Sequence, residues 1–457
     1  MDWLSDLRIK GQQLKSRALG QHLRLGITGL SGAGKTAFIT SMINQLLNPN
    51  ATSNLPFFTV MPDRYFGAKL LESETSNCPR FPYEQNLAAI QAKTWPVSTT
   101  GWSQISLQLR YQSTDFLASK FKNFSELQLD IVDYPGEWLL DLPMLQQEYT
   151  SWCSQMWLVL DQPERADLVA PFKAQLAKVD LQNADDWSLQ QLSDVYAQLL
   201  QELRSQHAAV LLQPGRLLLP AELTGTPLLW LLPLLPTQLN ADSPLYARLK
   251  RQFANYQQRV IKPFYQEYFA GLDRQVVLVD CLGALNKGYS VMQETQQALM
   301  QILQSFSYGP SNFLQRLFQP KIDKILFAAT KADLLTPEQH RNLMLLLQQM
   351  LQQPLQDSRY QRAQTEALAL SAVVTSEFGV VETADGRQPC IRGIDQQGQL
   401  KVVFPGDVPI SMPSELLFAH HQFAFPQFVP HGLTASGLLP SQRLDQVLEF
   451  VLGDALQ

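Results

Sequence analysis

Cysteine is scarce in this chain of 457 residues. The four present, Cys78, Cys153, Cys281 and Cys390, form no CxxC pair and have no histidine at zinc-ligand spacing. That excludes a disulfide framework and a cysteine-based zinc module, and a reducing compartment is the simplest setting. Charge is also thin: 17% of residues are charged and the net charge is −5, which argues against broad electrostatic binding of nucleic acid but leaves room for a local basic patch. Long apolar runs are missing. The most apolar stretch, PLLWLLPLLP (227–236), is about half the length that spans a bilayer and is broken by prolines. The opening MDWLSDLRIKGQQLKSRALG mixes charges around no apolar centre and does not read as a secretory signal. A soluble, cytoplasmic protein is expected.

Apolar residues make up 45% of the chain, which excludes disordered and collagen-like classes, and the length exceeds one compact core. The strongest local signal begins at Leu23, where LRLGIT alternates as a strand should and runs into GLSGAGKT (29–36). This fits the phosphate-loop pattern GxxxxGK[ST] at every fixed position, and a helical stripe of Phe38, Ile39, Met42, Ile43, Leu46 and Leu47 follows. Glycines allow backbone N–H groups to turn inward around a phosphate, and the helix N-terminus adds partial positive charge there. Ser31, Gly32, Ala33, Gly34, Lys35, Thr36 and Ala37 are therefore the expected phosphate cradle, with Lys35 on the β and γ phosphates and the Thr36 hydroxyl on Mg²⁺.

A second Mg²⁺ ligand is expected at the end of a neighbouring strand. LQLDIVDYPG (127–136) supplies Asp133 in a DxxG turn, after a second alternating strand, ISLQLRY (105–111), that suggests an antiparallel hairpin. KILFAATKAD (324–333) delivers Thr330, Lys331 and Asp333 at a strand end, and ALALSAV (367–373) delivers Ser371, Ala372 and Val373 likewise. In open α/β sheets ligands sit outside the carboxyl ends of strands, so these segments converge on one edge. A carboxylate at Asp333 accepts both N1–H and N2–H of guanine, which adenine does not offer. The Lys331 stem would cover the base face, and the Ala372 N–H would face O6.

GLSGAGKT, DYPG, TKAD and SA stand in the order of the P-loop GTPases, which the chain thus resembles; TKAD replaces the commoner NKxD with a known variant. The spacing is unlike a small GTPase, with 96 residues between Thr36 and Asp133 and 193 between Gly136 and Thr330. With DYPGEWLLDLP, these insertions resemble the YcjX-like family of bacterial P-loop proteins over nearly the whole chain. The resemblance implies a protein that binds GTP/GDP with Mg²⁺ in the phage-shock stress response of Gram-negative bacteria, beside a YcjF-like membrane-protein partner and with peripheral attachment to the inner membrane as an option. The expected fold is α/β: a three-layer α/β/α P-loop core, a mainly helical insertion domain and a small C-terminal β-hairpin extension.

For hydrolysis, the Gly136 N–H would sense the γ-phosphate. Glu137 stands where many such GTPases place a water-orienting glutamine, and a carboxylate there must be protonated, paired or turned away. Slow turnover is the expectation. Thr94, Ser98, Thr99 and Thr100 all offer a hydroxyl for Mg²⁺ before the Ile105 strand; Thr99 and Thr100 lead, and Thr100 is the residue assigned here. Arg64, or alternatively Arg80, is the candidate arginine finger. VVLVDCLGALNKG (276–288), with Asp280, mimics a nucleotide box but reads better as a core strand turning into the helix that begins near Ser290.

The boundaries that follow are an N-terminal amphipathic helix (1–21), a first core part (22–160), a helical insertion (161–275) and a second core part (276–457) with a β-hairpin at 389–404 and a closing helix. Within the insertion, Trp187, Leu189, Leu192, Val195, Tyr196, Leu199 and Leu203 share one broad face, and a helix capped by Ser243 and Pro244 is interrupted at Pro263. Two rival functions remain open: an ATP-dependent enzyme in which TKAD is accidental, and a nucleotide-gated scaffold at a membrane surface with negligible turnover.

Overall fold

The computed structural model describes residues 22–48, 54–72, 78–114, 124–183, 185–239, 242–269, 271–306, 322–355, 363–383 and 386–457. The expected N-terminal helix lies outside them. The chain divides into two compact units, one from Met1–Tyr134, Leu272–Asn286 and Lys321–Gln457, the other from Pro135–Gly271 and Lys287–Pro320. The first boundary therefore falls inside the DYPG turn.

The first unit is a mixed α/β fold around a mainly parallel sheet. Its strands are β1 (His22–Gly29), β2 (Tyr65–Leu70), β3 (Ser103–Tyr111), β4 (Ser125–Asp133), β5 (Arg274–Val279), β6 (Lys324–Ala329) and β7 (Gln364–Ala369), in the order β2-β3-β4-β1-β5-β6-β7. The five strands from β4 to β7 run parallel, while β3 pairs antiparallel with β4 and β2 antiparallel with β3. The expected hairpin of ISLQLRY and LQLDIVD is thus present, and β2 extends it by an edge strand that the sequence did not announce. β1 is central and buried along nearly all its length, which is why its residues read as a dense apolar run. Leu23, Leu25 and Ile27 face a core filled by Phe38, Ile39, Met42 and Ile43 of α1 (Lys35–Leu47) and by residues of the closing helix (Leu444–Leu452). A small antiparallel sheet follows β7: β8 (Ser376–Thr383), β9 (Gly386–Ile394) and β10 (Leu400–Val403). The β9–β10 pair is the expected hairpin, turning at Asp395–Gly398, and β8 makes it a three-stranded extension.

The second unit is helical among its described residues and is packed largely through aromatic rings. Tyr149, Trp152, Tyr246 and Phe253 meet with centroids 5.5–5.9 Å apart, and Phe172 stacks between Trp157 and Tyr196. The apolar run 227–236 threads this core, with Leu231, Leu232 and Leu234 fully buried. Carbonyls buried outside regular structure need side-chain donors. The Tyr149 hydroxyl donates to Leu232 O (2.9 Å) and the Trp157 indole N–H to Leu234 O (2.8 Å). Trp187 departs from expectation, being 71% exposed while Leu189, Leu192, Tyr196, Leu199 and Leu203 are buried. Two residues turn a helix through about 200°, so Trp187 sits opposite Leu189. Pro263 interrupts the α-helical pattern as expected without ending the helical run: π-helical turns at Gln257–Ile261 and Tyr265–Phe269 flank it, and the wider turn accommodates the missing N–H. No helix among the described residues is long and apolar enough to cross a membrane.

Asp141 is the buried polar anchor of this unit. Its carboxylate accepts from Gly215 N (2.8 Å) and the Tyr256 hydroxyl (2.6 Å), and burial nevertheless raises its pKa to about 6. An unfolded aspartate titrates near 4. Between about pH 4 and 6 the folded state therefore holds a proton that the unfolded state releases, and stability falls as pH rises through that window, by about 3 kcal/mol at most. Asp141→Asn should flatten this slope. Urea unfolding followed by the fluorescence of Trp138, Trp152 and Trp157 would check it, and an unchanged slope would locate the pH dependence elsewhere.

Candidate functional site

β1 ends at Gly29, and the chain turns with Ala33 N donating to Leu30 O (3.1 Å) before α1 begins at Lys35. Gly32 (φ 84°) and Gly34 (φ 78°) take left-handed conformations that other residues adopt only with strain. Ser31, Gly32 and Gly34 are exposed, while Ala33 and Ala37 turn their methyl groups inward. A loop with an exposed backbone crest and a buried root, leading into a thirteen-residue helix, is suited to receive a phosphate.

Parallel pairing sets Asp133 beside Ile27, level with the last turn of β1 before the loop. Lys35 reaches across and donates to Asp133 Oδ1 at 2.6 Å; the two side chains are 10% and 1% exposed. The other oxygen, Oδ2, accepts from the Thr99 hydroxyl at 2.8 Å, and Thr99 in turn lies 3.2 Å from the Thr36 hydroxyl. Adjacent oxygens around Mg²⁺, with bonds of 2.0–2.1 Å, stand about 2.9 Å apart. Thr36, Thr99 and Asp133 are hard oxygen donors at that spacing, so they fit the ion. Thr100 does not join them: it is exposed, and its neighbour Thr99 makes the contacts. Of the candidate switch hydroxyls, it is Thr99 that the structure places beside Asp133 and Thr36.

Across β1, the TKAD segment leaves β6. Thr330 donates from its N–H to Val279 O (3.0 Å), and Lys331 takes a left-handed conformation (φ 65°) that turns the chain. Lys331 Nζ donates to Asp280 Oδ2 at 2.6 Å. Asp280 follows β5, also accepts from Gly283 N (2.9 Å), and lies close enough to the phosphate loop that a methyl group on Gly32 would sit 3.7 Å from its carboxylate. The strand is present and the helix expected near Ser290 begins at Tyr289, but a shorter helix at Cys281–Lys287 comes before it, and Asp280 also ties TKAD to β5.

Asp333 is 4% exposed. Its Oδ1 accepts from the Ser371 hydroxyl (2.6 Å), and its Oδ2 from both the N–H (2.7 Å) and hydroxyl (2.6 Å) of Thr375. Ala332 N donates to Leu370 O, Val373 is buried and Ala372 half-buried, so TKAD and SA meet as the order of segments implied. Thr375 lies four residues beyond Ser371 and carries no motif signature.

The expected arginine fingers fare differently. Tyr65 pairs with Tyr111, while Ser103, at the far end of β3, pairs with Asp133. Eight residues of strand place Arg64 about 25 Å along the sheet from Asp133. Its guanidinium donates to Leu456 O there, so Arg64 is not a finger for this site. The error has a physical origin: antiparallel pairing carries the start of β2 to the opposite edge. Arg80 stays at the site edge, beside Gln104, but forms a surface ion pair with Glu84 at 2.6 Å.

In the second unit, Gly136 opens a four-residue helix and Glu137 is 7% exposed, paired with Arg204 at 3.0 Å. Of the three arrangements open to this carboxylate, pairing is the one observed.

The site and fold can be set beside known proteins. The profile of the YcjX-like family, DUF463, matches residues 23–456. The protein named Ras-like GTPase YcjX in Escherichia coli (strain K12) is 39% identical over 457 residues, covering 97% of this chain and 98% of its own length. Its namesake in Shewanella oneidensis (strain MR-1) is 39% identical over 473 residues, covering 98% of this chain and 97% of its own. Similarity end to end, with the phosphate loop, DYPG, TKAD and SA inside it, means that the chain belongs to the YcjX-like family.

Proposed function

We propose that this chain binds Mg²⁺·GTP and GDP and hydrolyses GTP slowly, as a molecular switch. The observation that carries the reading is the placement of Asp333, a buried carboxylate at the end of β6, on the same sheet edge as the Lys35 loop. The relatives' name, Ras-like GTPase, supports it. The stress-response setting, the YcjF-like partner and peripheral attachment to the inner membrane rest on the family resemblance alone.

In this reading the phosphate loop of 31–36 receives the β and γ phosphates, and Lys35 leaves Asp133 to neutralise them. Thr36, Thr99 and Asp133 would hold Mg²⁺, which supplies charge neutralisation at the transferred phosphoryl group when bound. Thr330 and Lys331 position the base pocket, and Asp333 reads guanine N1–H and N2–H with Ala372 beside it. A γ-phosphate-sensing role for the Gly136 N–H rests on the order of the motifs in the sequence alone. Glu137 supports a slow rate, because a carboxylate committed to Arg204 is a poor orienting group for water. Arg64 drops out of the catalytic set for the reason of position given above.

Two outcomes are expected. Asp333→Asn should weaken GDP binding by ten- to a hundredfold, the worth of hydrogen bonds to a charged group, and shift preference towards xanthosine diphosphate. Fluorescent GDP, XDP and ADP titrations would check it, and tighter ADP than GDP binding by the wild type would sink the guanine assignment. Lys35→Ala should abolish phosphate release above background under saturating GTP while the protein remains folded by circular dichroism. Equal release from wild type and variant would mean that the chain is no hydrolase.

A further inference from the structure

A carboxylate offers about four acceptor positions, two on each oxygen. On Asp333 three of these are taken by the chain itself: Ser371 occupies one on Oδ1, and Thr375 occupies both on Oδ2 through its N–H and its hydroxyl. Guanine presents two donors, N1–H and N2–H, to the two oxygens of one carboxylate. Oδ1 retains a position for the first. Oδ2 has none for the second until Thr375 gives one up.

The two Thr375 bonds are not equally easy to release. Its N–H is fixed by backbone that is pinned on both sides: Val374 N donates to Pro440 O, and the Ser376 hydroxyl donates to the Asp333 carbonyl. The backbone there is also closely packed, since a Cβ on Gly393 of β9 would come within 2.8 Å of the Thr375 carbonyl. The hydroxyl, by contrast, leaves by rotation about one side-chain bond. It is the group that guanine can displace.

We propose that Thr375 is a specificity-determining residue of the base pocket, whose hydroxyl competes with the guanine 2-amino group for Asp333 Oδ2. The proposal rests on the reading of Asp333 as the guanine-binding carboxylate. Its consequence is a compressed preference for guanine over hypoxanthine. Hypoxanthine keeps N1–H and O6 but has no 2-amino group, so it needs only the position already open on Oδ1 and leaves Thr375 in place.

Thr375→Val keeps the backbone N–H and the branched shape but removes the hydroxyl, and Thr375→Ser restores a hydroxyl on a smaller side chain. Binding of GDP and of inosine diphosphate is measured for the wild type and both variants by calorimetry. The ratio of the two affinities cancels any general weakening of the pocket that a packing change would cause. In Thr375→Val the preference for GDP over inosine diphosphate should rise roughly three- to tenfold, the worth of one net hydrogen bond. In Thr375→Ser it should stay within twofold of the wild type. An unchanged or smaller ratio in Thr375→Val overturns the competition. Asp333→Asn, measured in parallel, separates this failure from the larger one: if that variant retains the wild-type GDP and inosine diphosphate affinities, Asp333 is not reading the base and both readings fall together.

Discussion

The register of β1 against its two neighbours is the constraint from which the candidate site follows. Ile27 lies beside Asp133 and Gly29 beside Leu278, so the strand that launches the phosphate loop is flanked at the same level by the ends of β4 and β5. A shift of one residue would turn Leu23, Leu25 and Ile27 away from the core they share with α1, and the buried face makes such a slip costly. The same pairing delivers Asp133 to Lys35 on one side and Asp280 to Lys331 on the other. Two lysine–aspartate pairs therefore bracket the loop, each made by residues that arrive on separate strands.

Legibility in the sequence tracked how local each determinant is. The phosphate loop, its flanking strand and helix, and Asp333 were readable because glycine conformation, strand alternation and turn chemistry act within a few residues. The 105–111 and 127–133 hairpin was readable for the same reason. Thr99 was not separable from Thr100, because the loop before β3 has no period and adjacent residues point in different directions. Arg64 was misplaced because strand direction depends on pairing partners, and β2 carries no strong alternation of its own. Asp280 stood out only within a stretch that mimics a nucleotide box and was set aside as core, and Thr375 was invisible as a site residue: their partners, Lys331 and Asp333, are 51 and 42 residues away in the chain. β8 was missed although its partner hairpin was found, since an outer strand with both faces partly exposed has weak apolar alternation.

The second unit is organised by a different economy. Its buried polar groups are answered mostly by backbone: Asp141 by Gly215, Tyr196 by Gln213 O, Gln238 by Leu176 O. Arg165 and Glu294 form a buried ion pair in which Glu294 also accepts from Val210 N. Such arrangements satisfy irregular segments such as 208–236 that have no ladder of their own, and they explain how a proline-rich apolar run becomes core.

The Lys35–Asp133 contact gives ligand entry the character of an ion exchange. Each side chain already neutralises the other in a nearly dry setting, so a phosphate arriving alone must strip Lys35 from Asp133 and leave a buried carboxylate uncompensated. A metal ion arriving alone must strip Asp133 from Lys35 and leave a cation uncompensated. Arriving together, phosphate takes the lysine and metal takes the aspartate, and neither residue is left bare. For the nucleotide function proposed here, that makes the two ligands thermodynamically linked through one salt bridge: each lowers the cost of admitting the other, and the loop discriminates against either one on its own.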